Sequence, residues 1–434
     1  MLRVLQHTNY NLISSQPYSP FRWSMPEHIN DLFHTRTTRA RANLLLAHAR
    51  SGASSYFAVH DSALASAADL VACVTRDRYP SLVIPYHSRW RHFEAGGVDR
   101  RAWLGPAALD PYTLIDLVIV SVLLDAGSGP QWSFKEARTG QTFTRSEGLG
   151  VASFHAFTSG LFSSDPAQPL RCDAAALQGL DTLQLGQAFQ VSASNPLVGL
   201  EGRAHLLRRL GKALMEHPDV FASKALPVVL RPGGLFDYAQ HSGGTGAVTG
   251  AGVVTAHHLL SILLTTLTRI WPSGSLLGNT PVGDCWPHPA LGTQHSSAGW
   301  IPFHKLSQWL TYSLLEPFAW AGVPVAGLDA LTGLPEYRNG GLLLDAGVLT
   351  FKDAQLALQP YRADHTLIVE WRALTVALLD ELAPMVRKRL GKTEAQMPLA
   401  CVLEGGTWAA GRVLAQQLRG GKPPLNIESD GTIF

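Results

Sequence analysis

The chain has 434 residues, of which 46% are hydrophobic and 16% are charged. A charged share this far below the roughly 25% of typical soluble domains indicates a large core, so we expect one large compact body or an oligomer. The formal net charge is +2, from 35 basic and 33 acidic side chains, with no long run of one sign. This balance gives no support to a nucleic-acid scaffold or a membrane-surface protein.

The four cysteines show no metal or disulfide pattern. Cys73, Cys172, Cys285 and Cys401 form no C-x-x-C pair, and their spacing fits neither a zinc ribbon nor a disulfide scaffold. The first residues contain no apolar run of signal-peptide length, and the longest unbroken apolar stretches are far shorter than the roughly 20 residues that span a bilayer. We therefore predict a cytoplasmic protein with reduced thiols and no membrane segment.

Helical spacing of apolar residues dominates the pattern along the chain. In chain order, helices are predicted over 27–50, 59–76, 108–126, 148–161, 174–190, 199–216, 252–271, 304–323 and 371–391. Asp61 or Ser62 is the predicted N-cap of the second helix. The segment 128–148 has the composition of a loop or short strands. Strand periodicity is too weak for a large sheet, so the predicted fold class is mainly α.

We expect one intertwined unit over 1–434, with 1–220 and 221–434 as the alternative division into sub-regions. The most glycine-rich segment, 231–251, lacks the G-K-[ST] ending of a phosphate-binding loop. It also follows no clear strand, as a dinucleotide fingerprint would. Both interpretations are rejected, and a glycine-rich loop that closes over a pocket stays open.

The stretch GLDALTGLPEYRNGGLLLDAGVL is the strongest candidate for chemistry. It places Asp329 and Glu336 in apolar surroundings, with Tyr337 and Arg338 next to the second carboxylate. Burial disfavours the charged form of a carboxylate and raises its pKa toward the range useful for acid–base work. Pro335 argues against a continuous helix, so Glu336 is predicted in a turn or at the start of a second helix. The alternative is an internal Glu–Arg ion pair that only fixes the turn.

A second cluster begins the predicted helix after residue 302. His304 and Gln308 share one helix face, and Lys305 lies between them. The helix dipole favours anions at a helix start, which suits substrate contact. The alternative is a solvated first turn.

The segment around Trp90 combines basic and aromatic side chains. Arg89, Arg91 and His92 have the chemistry to grip a phosphate or carboxylate, since guanidinium groups bind such anions bidentately, and Trp90 offers a stacking face. The alternative is a structural arginine network. Asp125, which ends an apolar helix, either lines a pocket or caps a neighbouring helix.

Zinc-ligand side chains are concentrated between residues 283 and 300. Asp284, Cys285, His288 and His295 are of the right types, but their spacing matches no zinc motif. We therefore predict no metal and no other cofactor, and keep a zinc site on these four residues as the alternative.

Six motifs carry a family resemblance over essentially the whole chain. They are SRWRHFEAGGVDR (88–100), TGQTFTRSEGL (139–149), PFHKLSQWLTYSLLEP (302–317), LTGLPEYRNGGLLLDAGVL (331–349), VEWRALTVALLDEL (369–382) and GTWAAGR (406–412). With them the chain resembles the uracil-catabolism family, the fourth component of the uracil degradation pathway, which is also catalogued as a domain of unknown function. The resemblance implies a role in converting a uracil-derived nucleotide to urea and a three-carbon acid.

A more distant resemblance concerns chemistry. The stretch DALTGLPEYR is similar to the pattern D-x-L-T-x-F-A-D-Y-R of the queuosine-salvage N-glycosidases, and FHKLSQ and VEWRALTV are similar to two further blocks of that family. That family is all-helical, is related to the helix-hairpin-helix DNA glycosylases, and hydrolyses a ribosyl N-glycosidic bond. Glu336 stands where those enzymes have Asp, so the pocket is not expected to accept queuine.

Together these resemblances imply an N-glycoside hydrolase that cleaves ribosylurea or its 5′-phosphate. A fixed carboxylate near C1′ would stabilise the positive charge that develops there. The catalytic candidates are Glu336, then Asp329, then Asp125. The substrate-binding candidates are Arg338, Tyr337, Lys305, Gln308, His304, Arg89, Trp90, Arg91 and His92. Among these, Lys305, Arg89 and Arg91 are expected to hold a phosphate, and Gln308 and Trp90 to contact the leaving group.

Two other functions stay open. One is a zinc-dependent amidohydrolase that acts on a ureido group or ring amide through Asp284, His288, His295 or His304. The other is a non-enzymatic scaffold or regulator. The expected partner is a small nucleotide-derived substrate, with no nucleic acid or membrane, and a homo-oligomer is open.

Overall fold

The structure is a computed structural model that describes residues 27–224, 228–242, 253–271 and 275–428. Within them helices dominate, which confirms the predicted mainly α class. None of these helices combines the length and apolarity needed to cross a bilayer. The α-helices are α1 (Thr35–Arg50), α2 (Leu64–Arg78), α3 (Trp90–Phe93), α4 (Pro111–Leu123), α5 (Arg145–Thr158), α6 (Ala174–Gln178), α7 (Thr182–Ala188), α8 (Leu200–Glu216), α9 (Pro218–Phe221), α10 (Leu235–His241), α11 (Ala256–Leu267), α12 (Lys305–Trp320), α13 (Tyr337–Asp345), α14 (Thr366–Leu390), α15 (Leu399–Val402) and α16 (Trp408–Arg419).

The strands of the described residues are short and pair two by two. Four pairs are antiparallel: β1 (Phe57–Val59) with β10 (Leu349–Phe351), β2 (Ser133–Lys135) with β3 (Thr142–Thr144), β5 (Ser275–Leu277) with β6 (Thr280–Gly283), and β7 (Cys285–Pro287) with β8 (Trp300–Pro302). Two pairs are parallel: β4 (Val254–Thr255) with β9 (Val325–Ala326), and β11 (Pro360–Arg362) with β12 (Asn426–Glu428). Several pairs therefore join segments that are distant in the sequence.

Most predicted helices are found, but two details are wrong. The segment 174–190 is two helices rather than one, because Asp181 accepts a hydrogen bond from the Leu183 backbone N–H and caps a new helix. Neither Asp61 nor Ser62 caps α2, which begins after a 3₁₀ turn. The Asp61 carboxylate instead accepts hydrogen bonds from Arg50 at 2.6 and 3.1 Å.

The core is organised around α14. This helix is buried along most of its length and packs against α1, α2 and α13, while α4 packs against α12. Buried apolar side chains of the described residues form one cluster that includes both Ile29 and Leu425. The single-unit organisation and the relation to DNA glycosylases remain predictions. The segment 231–251, predicted as a glycine-rich loop, is helical over Pro232–Gly234 and Leu235–His241, and its residues 243–251 lie outside the described residues.

Candidate functional site

Glu336 is the N-cap of α13, where the sequence placed a turn or helix start. Its Oε2 accepts the Arg338 backbone N–H and its Oε1 accepts the Asn339 backbone N–H, both at 2.6 Å. These bonds satisfy two of the N–H groups that any helix start leaves unpaired. Each carboxylate oxygen retains accepting capacity, so a bound molecule can also contact it.

The surroundings of Glu336 disfavour its charge. Only 9% of the residue is exposed. Burial raises the pKa of Glu336, and the N–H groups of Arg338 and Asn339 together with the charge of Lys305 only partly oppose that rise. A carboxylate held in this way is typical of a functional site rather than of a surface cap.

Two side chains of α12 hold the segment that leads to Glu336. Gln308 Nε2 donates to Thr332 Oγ1 at 2.8 Å, and Gln308 Oε1 accepts the Thr332 backbone N–H at 3.1 Å. The Tyr312 hydroxyl donates to the Thr332 carbonyl at 3.0 Å. Gln308 is therefore engaged with the protein itself, and its contact with the leaving group stays a prediction.

Gly340 of α13 and Gly411 of α16 allow α13 to approach its neighbouring helices closely. A Cβ at Gly340 would lie 2.6 Å from the Trp371 ring of α14, and a Cβ at Gly411 of α16 would lie 2.2 Å from the Arg338 carbonyl oxygen. The Trp371 indole N–H donates to the Gly340 carbonyl at 3.2 Å. The glycines thus fix where α13 begins, and with it the position of Glu336.

Lys305 supplies the cation of the site. Asp284 fixes its backbone, because one Asp284 oxygen accepts the Lys305 backbone N–H at 3.0 Å while both bind Arg372 at 2.7 Å. In the part of the chain that the structure describes, no hydrogen bond or ion pair engages the Lys305 ammonium. Burial lowers the pKa of Lys305, and the charges of Glu336 and Asp125 partly oppose this.

Asp125, Arg89 and His92 form a second group of polar side chains, and the charge of Asp125 acts on Lys305. Arg89 is fully buried; its Nη1 lies 3.0 Å from Asp125 Oδ1 and 3.0 Å from His92 Nδ1. Burial alone would raise the pKa of Asp125, but the charges of Arg89 and Lys305 lower it overall. Burial and the Arg89 charge lower the pKa of His92 to about 4, so its ring is neutral near pH 7. Since Nδ1 faces the guanidinium, the ring proton belongs on Nε2.

Several further groups around this cluster were not predicted from the sequence. His87 Nδ1 lies 2.9 Å from Glu404 Oε2, and the His87 ring centroid lies 6.5 Å from the rings of both Trp309 and Trp408. Trp408 belongs to the quoted motif GTWAAGR, which is the one hint that the sequence offered. The pairing of His87 with Glu404 joins residues 317 positions apart, so no local pattern predicts it.

Several buried polar atoms in and near the cluster lack a hydrogen-bond partner among the described residues. They include Trp309 Nε1, Asn339 Oδ1, Arg338 Nε and Arg89 Nη2. Buried polar atoms nearly always have a partner, so unpaired ones call for an explanation. Together with the unengaged Lys305 ammonium, they make this cluster the candidate site for a polar small molecule.

Other predicted site residues lie elsewhere or are already engaged. Asp329 is exposed in a 3₁₀ turn, and its carbonyl accepts a hydrogen bond from Arg39 at 2.6 Å. Trp90 is a core residue whose indole N–H donates to the Ser313 carbonyl. Arg91 forms ion pairs with Glu94 and Glu316.

The remaining substrate-binding candidates differ in whether protein groups already engage their side chains. Arg89 and Arg91 both have carboxylate partners, so of the three expected phosphate ligands only Lys305 is unengaged. His304 is buried, stacks on Phe33 at 5.5 Å, and its Nε2 lies 2.8 Å from the Leu32 carbonyl. The Arg338 guanidinium lies 4.7 Å from the Tyr337 ring centroid, at the start of α13.

The alternative zinc residues do not converge. Both Asp284 oxygens bind Arg372, and His288 Nε2 lies 3.3 Å from a Glu370 oxygen. Burial raises the pKa of the Cys285 thiol well above its usual value, and His295 is exposed. Among the residues that the structure describes, no three metal-ligating side chains gather into a candidate site. That the protein works without a metal stays a prediction.

A small cleft that is open to solvent lies beside the first turn of α12. Its walls include Asp284, His304 and Ser307, but neither Glu336 nor Lys305. Since Asp284 and His304 are committed to internal contacts, we place the candidate site at the charged cluster instead of at this cleft.

Comparison with known proteins agrees with the family predicted from the motifs. Residues 31–434 match the family model described as protein of unknown function (DUF1688). The chain is 40% identical over 424 residues to protein urg3 of Schizosaccharomyces pombe, which covers 94% of this chain and 99% of that protein. It is 38% identical over 388 residues to uracil catabolism protein 4 of Lachancea kluyveri, which covers 81% and 85%. By the family model and by both relatives, the chain belongs to the DUF1688 family.

Proposed function

We propose that this protein acts in uracil degradation as an N-glycoside hydrolase. Its substrate would be ribosylurea or the corresponding 5′-phosphate, and its products urea and ribose or ribose 5-phosphate. One relative carries the name uracil catabolism protein 4, which supports the pathway. The observation that supports the chemistry best is Glu336, a buried carboxylate that is held by two backbone N–H groups and whose ionised form is favoured by the charge of Lys305.

In the proposed reaction the bond between C1′ and the urea nitrogen breaks, its electron pair stays with nitrogen, and the departing urea takes up a proton there. Positive charge then builds on the ribose ring, and the ionised Glu336 carboxylate stabilises it. Water adds to C1′ and passes one proton to Glu336, which returns it to solvent. The two N–H donors hold the carboxylate before substrate arrives, so little reorganisation is needed during the reaction.

Lys305 and Asp125 set the charge of the pocket. Lys305 favours the ionised form of Glu336 against burial, and Asp125 remains ionised because Arg89 and Lys305 lower its pKa. Among the described residues, Lys305 is also the one phosphate-binding candidate of the three whose cation has no carboxylate partner within ion-pair distance. A substrate phosphate would meet it without breaking an internal ion pair.

A direct assay tests this function. The purified protein is incubated with ribosylurea and, separately, with its 5′-phosphate, and urea and reducing sugar are measured over time. We expect both products in equal amounts from at least one of the two substrates. Urea release no faster than in a protein-free blank would rule the activity out.

Replacing Glu336 tests its role. Glu336→Gln keeps an oxygen that accepts a backbone N–H but removes the charge, so kcat should fall about 10²–10⁴-fold while the protein stays folded. Asp181→Asn is the matched control, because it alters an exposed N-cap carboxylate at α7. Steady-state kinetics and thermal unfolding of both variants give the comparison. Wild-type turnover in Glu336→Gln would remove this residue from the mechanism.

A further inference from the structure

His87 has no part in the mechanism above, yet its ring is fixed beside the same pocket. It lies in the irregular segment between α2 and α3, and its backbone N–H donates to the Ala400 carbonyl at 3.0 Å. Its Nδ1 faces Glu404 Oε2 at 2.9 Å. The His87 side chain is 15% exposed and the Glu404 side chain 7%. One ring nitrogen is therefore held by a buried carboxylate, while the ring keeps some access to solvent.

Glu404 is itself firmly anchored. Its Oε1 accepts hydrogen bonds from Arg78 Nη2 and the Tyr79 hydroxyl, each at 2.9 Å. It lies in the π-helical turn Leu403–Thr407, a local structure that occurs frequently at functional sites. Burial alone would raise the pKa of Glu404, but His87 and Arg78 lower it to about 2, so this carboxylate is ionised near neutral pH.

The glycines of the π turn bring Glu404 within reach of His87. A Cβ at Gly406 would lie 2.4 Å from Thr75 Oγ1 and 2.5 Å from the Val71 carbonyl oxygen of α2. Only glycine allows this approach, and Arg78, which binds Glu404, follows on the same helix. The turn thus presents a carboxylate to Nδ1 of the His87 ring.

The other ring nitrogen of His87, Nε2, is available to a molecule bound in the pocket. The ring centroid lies 6.5 Å from the rings of both Trp309 and Trp408, and the buried Trp309 Nε1 has no hydrogen-bond partner among the described residues. The His92 ring lies 5.8 Å from the same Trp309 ring. The Arg338 guanidinium lies 5.9 Å from the same Trp408 ring, so His87 shares both tryptophans with the candidate site. A histidine whose Nδ1–H is held by a carboxylate can carry and deliver a proton at Nε2.

We propose that His87 is the general acid that protonates the urea leaving group, with Glu404 as its positioning residue; this inference rests on the proposed function. As the C1′–N bond breaks, its electron pair moves to nitrogen, and the proton on His87 Nε2 passes to the departing urea. Glu336 faces the ribose cation at the same time. Water then supplies the hydroxyl at C1′, its proton leaves through Glu336, and solvent returns a proton to His87.

Leaving-group chemistry tests this role. Ribosylurea needs a proton on its leaving group, whereas 4-nitrophenyl β-D-ribofuranoside releases an anion that is stable near neutral pH. For His87→Gln we expect kcat to fall about 10²–10⁴-fold on ribosylurea but to change much less on the nitrophenyl riboside. His60→Gln is the matched control, because it alters an exposed histidine whose Nε2 contacts Thr350. Glu404→Gln should show the same selective loss to a smaller degree, in kcat rather than KM.

Each outcome tests either the general-acid role of His87 or the proposed hydrolase activity. Equal losses of His87→Gln on both substrates, with the fold intact, would overturn the general acid while leaving the hydrolase in place. A wild-type protein that fails to release urea would overturn the proposed function, and the inference with it. Should His87→Gln fail to fold, His87→Gly with added imidazole replaces it. Rescue of urea release by imidazole, without a gain on the nitrophenyl riboside, supports the proposal, and absence of rescue in a folded variant counts against it.

Discussion

Glu336 shows how one residue can be located from sequence while its chemistry depends on distant partners. Its hydrogen bonds go to Arg338 and Asn339, so the helix start after Pro335 is a local property that the sequence predicts. The charges that balance its burial come from Lys305 and His87, which lie in other elements. Burying a carboxylate is costly unless such partners compensate, and here they compensate only in part.

Removing the Lys305 charge should make Glu336 harder to ionise. Lys305 lowers the pKa of Glu336 against the effect of burial, so Lys305→Met should raise that pKa further. Because the mechanism needs the carboxylate, the acid limb of the kcat/KM profile should move to higher pH. Lys212→Met is the control, since Lys212 is an exposed residue of α8 paired with Glu216. An acid limb that stays in place in a folded, active Lys305→Met would disprove the coupling.

At the scale of elements, close helix packing decides where the site residues lie. Gly340 lets α13 rest against Trp371 of α14, and Gln308 of α12 ties down the segment that precedes Glu336. Periodicity correctly predicted most helices because their buried faces follow the helical repeat. It failed over 174–190, where the Asp181 cap begins a second helix. A local hydrogen bond outweighed an apolar pattern there.

A methyl group at Gly340 should therefore disturb both stability and activity. In Gly340→Ala the new Cβ would press on the Trp371 ring, so we expect a loss of about 1–3 kcal/mol in the free energy of unfolding. Since α13 carries Glu336 at its start, urea release should also fall. Gly127→Ala is the control, because a Cβ at Gly127 meets nothing within 4 Å. Chemical denaturation and the urea assay would show the difference, and equal stability of the two variants would contradict the packing argument.

For the whole molecule, buried ion pairs link distant segments and make stability depend on pH. Glu136 has no exposed side-chain surface, and it pairs with Arg100 and His155 at 2.6 Å each. Burial alone would raise the pKa of Glu136, but hydrogen bonds from Arg100, His155 and Thr139 outweigh it and lower the pKa to about 2. A carboxylate with a lowered pKa stabilises the fold above its ordinary pKa and loses that effect as the pH falls.

The unfolding temperature should accordingly drop as the pH falls from about 4.5 toward 2, the range between the ordinary and the folded pKa of Glu136. Glu136→Gln should be less stable than wild type at pH 7, because it leaves the buried Arg100 without its ionised partner, at a cost of about 3–5 kcal/mol. The unfolding temperature of Glu136→Gln should also fall less steeply than that of wild type as the pH decreases. Glu394→Gln, which removes an exposed carboxylate, is the control for thermal unfolding across pH. A variant whose decline parallels wild type would refute this assignment.

The sequence by itself determined the helical class, most helix positions, the family and the turn that holds Glu336, because each follows from short-range periodicity, capping or quoted motifs. Only the tertiary structure decided which charged side chains meet. It brought Lys305 and Asp125 toward Glu336, left Asp329 exposed, and engaged Arg91 and Gln308 in internal contacts. It also revealed His87 and Glu404, whose pairing spans most of the chain. Such contacts depend on how helices pack around a shared core, and helix packing combines residues whose separation in sequence carries no local pattern.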